Sequence, residues 1–110
     1  MVAPAEGWQD IAAVEALPSG QYLEAVLEEA DVVVFNVGGL FHAIENLCTH
    51  DGGRLSGGRL EGRQIICPRH GARFDVTTGA ACTPPAYQDV HVFPVRVQDG
   101  RIQLRDDRWD

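Results

Sequence analysis

Two short segments, each carrying one cysteine and one histidine, constrain this chain more than any other feature. They are CTH at residues 48–50 and CPRH at residues 67–70, and together they give the spacing C-x-H-x16-C-x2-H. Glycine follows each segment, and glycine allows a backbone to approach a bound group closely. Because each segment offers one thiolate and one imidazole, we expect the two loops to meet around a metal centre.

Two kinds of metal centre are compatible with this pattern. A structural zinc ion would take all four side chains into one tetrahedron, but zinc sites more often pair like ligands along the chain. Two irons divide the ligands differently, with Cys48 and Cys67 on one iron and His50 and His70 on the other. The mixed thiolate and imidazole segments favour the diiron centre and leave zinc as the alternative.

The composition is typical of one small, turn-rich domain. The chain has 110 residues and is 45% apolar, so we expect a single domain over residues 1–110. Ten of its twelve glycines lie at or after Gly38, which favours short strands joined by tight turns. Because a chain of this length buries a limited core, a bound metal would add stability.

Short β-branched or alternating stretches predict an all-β protein. The stretch at residues 21–28 also fits one face of a helix, but its short length favours a strand. The GGRL sequences at 52–55 and 57–60 are interpreted as two turns, and Pro94 places part of its strand at an edge or bulge. The other predicted strands cover residues 8–11, 31–37, 40–44, 64–66, 73–75, 90–97 and 101–104, with hairpin turns at Gly38-Gly39 and Asp99-Gly100.

The charge and hydropathy of the chain exclude several function classes. The net charge is −7, which disfavours nucleic-acid binding and favours a basic partner surface. No apolar run is long enough for a membrane helix, and residues 1–6 lack a signal-peptide pattern. We therefore expect a cytoplasmic, monomeric protein that binds neither membrane nor nucleic acid. Three cysteines in a reducing compartment also favour metal binding over a disulfide framework.

The segments CTHDGG and CPRHGARFD resemble the fingerprint of the Rieske-type [2Fe–2S] ferredoxins that serve bacterial aromatic-ring dioxygenases. The resemblance implies an antiparallel β-sandwich or barrel-like basal subdomain with an inserted cluster-binding subdomain at about residues 45–82. It also implies one [2Fe–2S] cluster, with Cys48 and Cys67 on an inner iron and His50 and His70 on an outer iron.

Four residues differ from the high-potential Rieske proteins of respiratory complexes. At the positions that correspond to Gly53 and Arg69, those proteins have two cysteines joined by a disulfide. At the positions that correspond to Ala72 and Phe74, they have a serine and a tyrosine whose hydroxyls are directed at the cluster. Fewer hydrogen bonds to the sulfurs stabilise the reduced cluster less. The resemblance therefore implies a low-potential centre.

Other reactive side chains are expected to have structural or surface roles. Cys82 is interpreted as a buried or half-buried thiol, and Asp51 as a solvated loop carboxylate. Pro84-Pro85 resembles the proline-bearing loop that covers the cluster in relatives. Arg69 is expected near a docking face, and His42 and His91 are interpreted as surface or sheet histidines.

The resemblance implies an electron carrier with no catalytic centre of its own. It would accept electrons from an NAD(P)H-dependent flavin reductase and pass them to a terminal oxygenase through transient contacts. A small subunit of an assimilatory nitrite reductase and a cluster-based redox sensor or accessory protein are the alternatives.

Overall fold

Residues 7–108, which the computed structural model describes, form ten β-strands and one 3-10 turn at Val14–Ala16, with no α-helix in that range. The expectation about residues 1–6 lies outside the described residues. The strands are β1 (Gln9–Ala13), β2 (Tyr22–Leu27), β3 (Ala30–Val37), β4 (Leu40–Glu45), β5 (Arg59–Glu61), β6 (Gln64–Ile66), β7 (Arg73–Asp75), β8 (Val92–Phe93), β9 (Val95–Gln98) and β10 (Arg101–Leu104).

The strands form three antiparallel sheets. The first has the order β1-β10-β9, the second β2-β3-β4-β8 and the third β5-β6-β7. The all-β, antiparallel fold class predicted from the sequence is therefore confirmed.

Within residues 7–108, no helix has the length and apolar character needed to cross a membrane.

Strand β3 lies between two hydrophobic cores. Val33 and Phe35 belong to the core that also contains both cysteines of the paired segments. Val32 and Val34 belong to the other core, together with residues of β10. Because successive side chains of a strand point to opposite faces, this buried run packs against the first sheet on one side and the third sheet on the other.

Most of the predicted strands are present, and their differences from the prediction have local causes. The stretch at 21–28 is a strand, as its length favours. The long stretch at 90–97 is divided at Pro94 into β8 and β9, which pair with different sheets. The interpretation of residues 57–60 as only a turn is wrong, because Arg59 and Leu60 pair with β6 as part of β5.

Two polar side chains, Tyr22 of β2 and Asn46 directly after β4, fix the chain that leads into the third sheet. Buried Asn46 accepts hydrogen bonds from the backbone N–H groups of Leu55 (2.7 Å) and Ser56 (3.0 Å). The Tyr22 hydroxyl donates to the carbonyl of Gly58 at 2.7 Å. The third sheet lies within the range expected for the inserted subdomain, whose bounds of about 45–82 stay a prediction.

Candidate metal centre

The first cysteine loop (residues 48–53) follows β4 and is closed by its own backbone. The N–H of Cys48 donates to the carbonyl of Gly53 at 2.7 Å, and the N–H of Gly52 donates to the carbonyl of Cys48 at 2.8 Å. Gly52 has φ +77°, a conformation that glycine adopts without a Cβ clash. These contacts curl the loop around the Cys48 side chain.

The second cysteine loop (residues 67–72) joins β6 to β7 and repeats the same pattern. The N–H of Cys67 donates to the carbonyl of Ala72 at 2.7 Å, and the N–H of Gly71 donates to the carbonyl of Cys67 at 3.0 Å. Gly71 has φ +76°. The two loops therefore share one backbone hydrogen-bond pattern, in which the fourth residue after the cysteine is a left-handed glycine.

The two loops bring the predicted ligands together as an inner pair and an outer pair. The side chains of Cys48 and Cys67 are buried in the core, and one ligand atom of each lies within 4.8 Å of the other. His50 and His70 are exposed, and their ring centroids lie 5.0 Å apart with the rings perpendicular. Sulfur donors thus face the interior, and imidazoles lie at the surface.

Burial raises the pKa of the Cys48 thiol, since a thiolate is costly in an apolar setting. The backbone N–H groups of His50 and Asp51 hydrogen-bond to the sulfur and oppose this shift, while the neighbouring Cys67 adds to it. Such a sulfur is stabilised as a thiolate mainly by a bound cation.

Asp51 lies at the surface, as expected of a solvated loop carboxylate, and its side chain also makes contacts to both loops. It accepts hydrogen bonds from Nε of Arg69 at 2.6 Å and from the N–H of Gly53 at 2.8 Å. These two donors hold the pKa of the Asp51 carboxyl well below its usual range. Its Oδ2 also lies 3.2 Å from Nε2 of His70. The sequence carries no local signal for the contacts of Asp51 with Arg69 and His70, which lie on the other loop.

The segment after β7 covers one side of the loops. The hydroxyl of Thr49 donates to the carbonyl of Gln88 at 2.6 Å, and Ala86 is buried in the same core as the two cysteines. Cys82 is exposed, so its interpretation as a buried or half-buried thiol is wrong. Ala72 and Phe74 are fully buried and contain no hydroxyl.

The remaining two histidines lie elsewhere. His42 is in β4, where it pairs with Phe35 of β3. His91 precedes β8, and its Nε2 lies 2.7 Å from a carboxylate oxygen of Asp107.

The donor set fits a [2Fe–2S] cluster. Buried thiolates suit iron–sulfur chemistry and imidazoles suit iron, so a cluster with one sulfur-bound and one imidazole-bound iron matches the inner and outer pairs. The backbone N–H groups directed at Cys48 match the hydrogen bonds that such sulfurs accept.

Residues 7–94 match the family described as the Rieske [2Fe-2S] domain, and the chain belongs to that family. It is 39% identical over 99 residues to the naphthalene 1,2-dioxygenase system ferredoxin component of Pseudomonas aeruginosa, covering 90% of this chain and 95% of the relative. It is also 39% identical over 100 residues to the 2,4-dinitrotoluene dioxygenase system ferredoxin component of Burkholderia sp. (strain RASC), covering 91% and 96%.

Solved structures of Rieske ferredoxins have the same fold. A chain from the complex of reduced oxygenase and oxidized ferredoxin in carbazole 1,9a-dioxygenase superposes with a TM-score of 0.85 at 33% identity, covering 90% of this chain and 93% of that one. The carbazole 1,9a-dioxygenase ferredoxin from Nocardioides aromaticivorans IC177 gives a TM-score of 0.87 at 29% identity, with coverage of 91% and 98%. The expected resemblance is confirmed, and the cofactor is one Rieske-type [2Fe–2S] cluster.

Proposed function

We propose that this chain is the ferredoxin of an aromatic-ring dioxygenase system and carries single electrons to a terminal oxygenase. The observation that supports this most directly is the match along about nine tenths of the chain to ferredoxin components of such systems. A bound [2Fe–2S] cluster supplies a reversible one-electron couple. In this role the chain transfers electrons and does not itself catalyse the oxygenation.

The cluster ligands in this proposal are Cys48 and Cys67 on the inner iron and His50 and His70 on the outer iron. The burial of both cysteines and the exposure of both histidines support this division. We expect His50→Ala and His70→Ala each to abolish the Rieske electron-paramagnetic resonance signal, whereas His42→Ala should retain it. A normal Rieske signal in either ligand variant would contradict the assignment.

The exposed imidazoles of His50 and His70 are the proposed port for electrons. Their ring edges lie at the surface while the sulfurs are covered, so a partner docked there would approach the outer iron most closely. The electron donor in this proposal is an NAD(P)H-dependent flavin reductase, and both encounters are transient. The proposal also places the protein in the cytoplasm as a monomer.

The proposed potential is low for a Rieske centre, toward about −150 mV. Ala72 and Phe74 support this value, because neither side chain offers a hydroxyl to the cluster sulfurs. Ala72→Ser and Phe74→Tyr should each raise the midpoint potential measured by redox titration. A wild-type midpoint well above zero would contradict the low-potential proposal.

The decisive experiment reconstitutes electron transfer with purified components. Holoprotein, a ferredoxin reductase and a terminal oxygenase of an aromatic dioxygenase system should give NAD(P)H-dependent product formation that requires this chain. The His50→Ala variant is the matched control and should not support turnover. The carrier role would be contradicted by a holoprotein that dithionite reduces but that supports no turnover with any such oxygenase. Binding to another protein that changes on reduction would instead indicate a sensor.

A further inference from the structure

One ion pair joins the first cysteine loop to the second. Nε of Arg69 lies 2.6 Å from Oδ2 of Asp51, and Nη2 of Arg69 lies 3.1 Å from Oδ1 of the same carboxylate. This contact is bidentate, and bidentate arginine–carboxylate pairs fix the relative orientation of the two side chains best. Asp51 directly follows His50 in the first loop, and Arg69 directly precedes His70 in the second.

Gly53 provides the space for the arginine. A Cβ at Gly53 would lie 2.6 Å from both Cζ and Nη2 of Arg69, which is closer than non-bonded atoms approach. The N–H of Gly53 also donates to Oδ1 of Asp51 at 2.8 Å. The missing side chain at residue 53 and the guanidinium of Arg69 are therefore complementary, and the three residues form one packed unit.

The unit formed by Asp51, Gly53 and Arg69 lies beside the buried cysteines and the exposed histidine of the second loop. A carboxylate oxygen of Asp51 is within 4.8 Å of the sulfurs of Cys48 and Cys67, and Oδ2 lies 3.2 Å from Nε2 of His70. The side chain of Asp51 is one fifth exposed and that of Arg69 about two fifths. Both residues lie at the surface, but their side chains are partly shielded from water next to the donors, which gives this pair more influence on the centre than a fully exposed pair would have.

We propose that Asp51 and Arg69 are positioning residues that clamp the two cysteine loops together, with Gly53 as the seat of the guanidinium. No covalent bond joins the loops at these positions, because residue 53 is glycine and residue 69 is arginine. The clamp holds the spacing of the ligands, and its opposite charges cancel at the cluster. This inference rests on the proposed ligation by the two loops.

The pair has two proposed roles, holding the loops together and balancing the charge at the cluster, and substitutions can separate them. Asp51→Asn and Arg69→Gln each break the clamp, so both should speed cluster loss. They change the charge near the cluster in opposite directions, because Asp51→Asn removes a negative charge and Arg69→Gln removes a positive one. The first should therefore raise the midpoint potential and the second should lower it.

Gly53→Ala tests whether the clamp needs the space that glycine leaves for the guanidinium, without changing any charge. Its Cβ displaces the guanidinium, so cluster loss should be faster while the midpoint potential moves less than in either charge variant. The double variant Asp51→Asn/Arg69→Gln should lose the cluster no faster than the single variants, because both disrupt one interaction. Its potential should return close to that of the wild type.

Arg59→Gln is the matched control. Arg59 also forms an arginine–carboxylate pair in the third sheet, with Nη2 2.7 Å from an oxygen of Glu61, but this pair does not join the two loops. Cluster loss is followed by the decay of visible absorbance with an iron chelator, and the potential by redox titration. We expect about a twofold or greater acceleration in the clamp variants and none in Arg59→Gln.

Three outcomes would overturn the clamp. They are wild-type rates of cluster loss in all clamp variants, equal acceleration in Arg59→Gln, and additive acceleration in the double variant. A clamp variant that purifies without cluster but with a native far-ultraviolet spectrum supports the proposal. Failure of the proposed ligation is distinguishable, because it would appear as the absence of a Rieske spectrum from the wild-type protein itself.

Discussion

Gly58 lies where the chain enters the third sheet, and the backbone of β6 leaves no room there for a side chain. A Cβ at this position would lie 1.9 Å from the carbonyl oxygen of Ile66. That oxygen belongs to rigid strand backbone and cannot move away like the end of a flexible side chain. Space, and not a left-handed φ, therefore requires glycine at residue 58.

The Gly58→Ala substitution should lower the free energy of unfolding by about 2–3 kcal/mol, the upper part of the range of about 1–3 kcal/mol that overpacking usually costs, because the obstructing atom is rigid backbone. Gly62→Ala is the control, because nothing lies within 4 Å of its Cβ position although φ is +61°. It should cost about 1 kcal/mol through backbone strain alone. Urea unfolding of the holoproteins measures both, and equal losses would contradict the steric argument.

Asp75 links the end of β7 to the following turn and makes stability depend on pH. Burial acts to raise the pKa of its carboxyl, but hydrogen bonds from Thr77 and Thr78 and the charge of Arg63 outweigh burial and lower the pKa from 3.8. A group with a lowered pKa in the folded state stabilises the protein above its unfolded pKa. That contribution is lost as the pH falls through the folded value.

Stability of the wild type should therefore fall as the pH decreases below about 4, and Asp75→Asn should show a shallower fall. The asparagine keeps an oxygen for the turn hydrogen bonds but cannot carry the charge that faces Arg63. Urea unfolding at about pH 5 and pH 3 checks this difference. Identical pH slopes in the two proteins would show that Asp75 does not contribute.

At the scale of elements, the phenol of Tyr22 joins strand β2 to the loop before β5. The Tyr22 hydroxyl donates to the carbonyl of Gly58 and accepts the N–H of Gly57 at 2.9 Å. Its ring packs against Phe35, with centroids 5.5 Å apart. This side chain of the second sheet thus helps to fix the entrance to the third, together with Asn46.

Tyr22→Phe keeps the ring and removes only the two hydrogen bonds of the hydroxyl. We expect it to lower the free energy of unfolding by about 1–2 kcal/mol, because the partners on the loop lose a partly buried hydrogen bond. Tyr87→Phe is the matched control, since Tyr87 is 80% exposed. A loss of stability as large in Tyr87→Phe as in Tyr22→Phe would contradict this role.

At the scale of the whole molecule, the net charge of −7 sets the sign of long-range interactions. This net charge favours a partner with a basic face, for which encounter is faster at low ionic strength and is screened by salt. Turnover at subsaturating ferredoxin should therefore fall severalfold between about 20 and 300 mM salt. Reduction by the dithionite anion is the control and should have the opposite dependence. Turnover that rises with salt would indicate an acidic partner face.

The hairpins and the metal centre could be predicted because their signals are local. Gly38-Gly39 and Asp99-Gly100 specify tight turns between stretches of high β propensity, and both turns join antiparallel strands as expected. The mixed cysteine and histidine segments carry the ligand chemistry within three or four residues each. Strand β5 was not predictable in this way, because its three residues gain their hydrogen bonds from β6.

The sequence alone thus determined the class of the fold, the resemblance to Rieske ferredoxins and the residues proposed as ligands, since each depends on residue types at short separations. Only the tertiary structure decided which residues surround those ligands. Asp51 and Arg69 are 18 positions apart, and the guanidinium that fills the space beside Gly53 comes from the other loop. Such contacts depend on how the loops meet in space, and no local pattern in either loop specifies that approach.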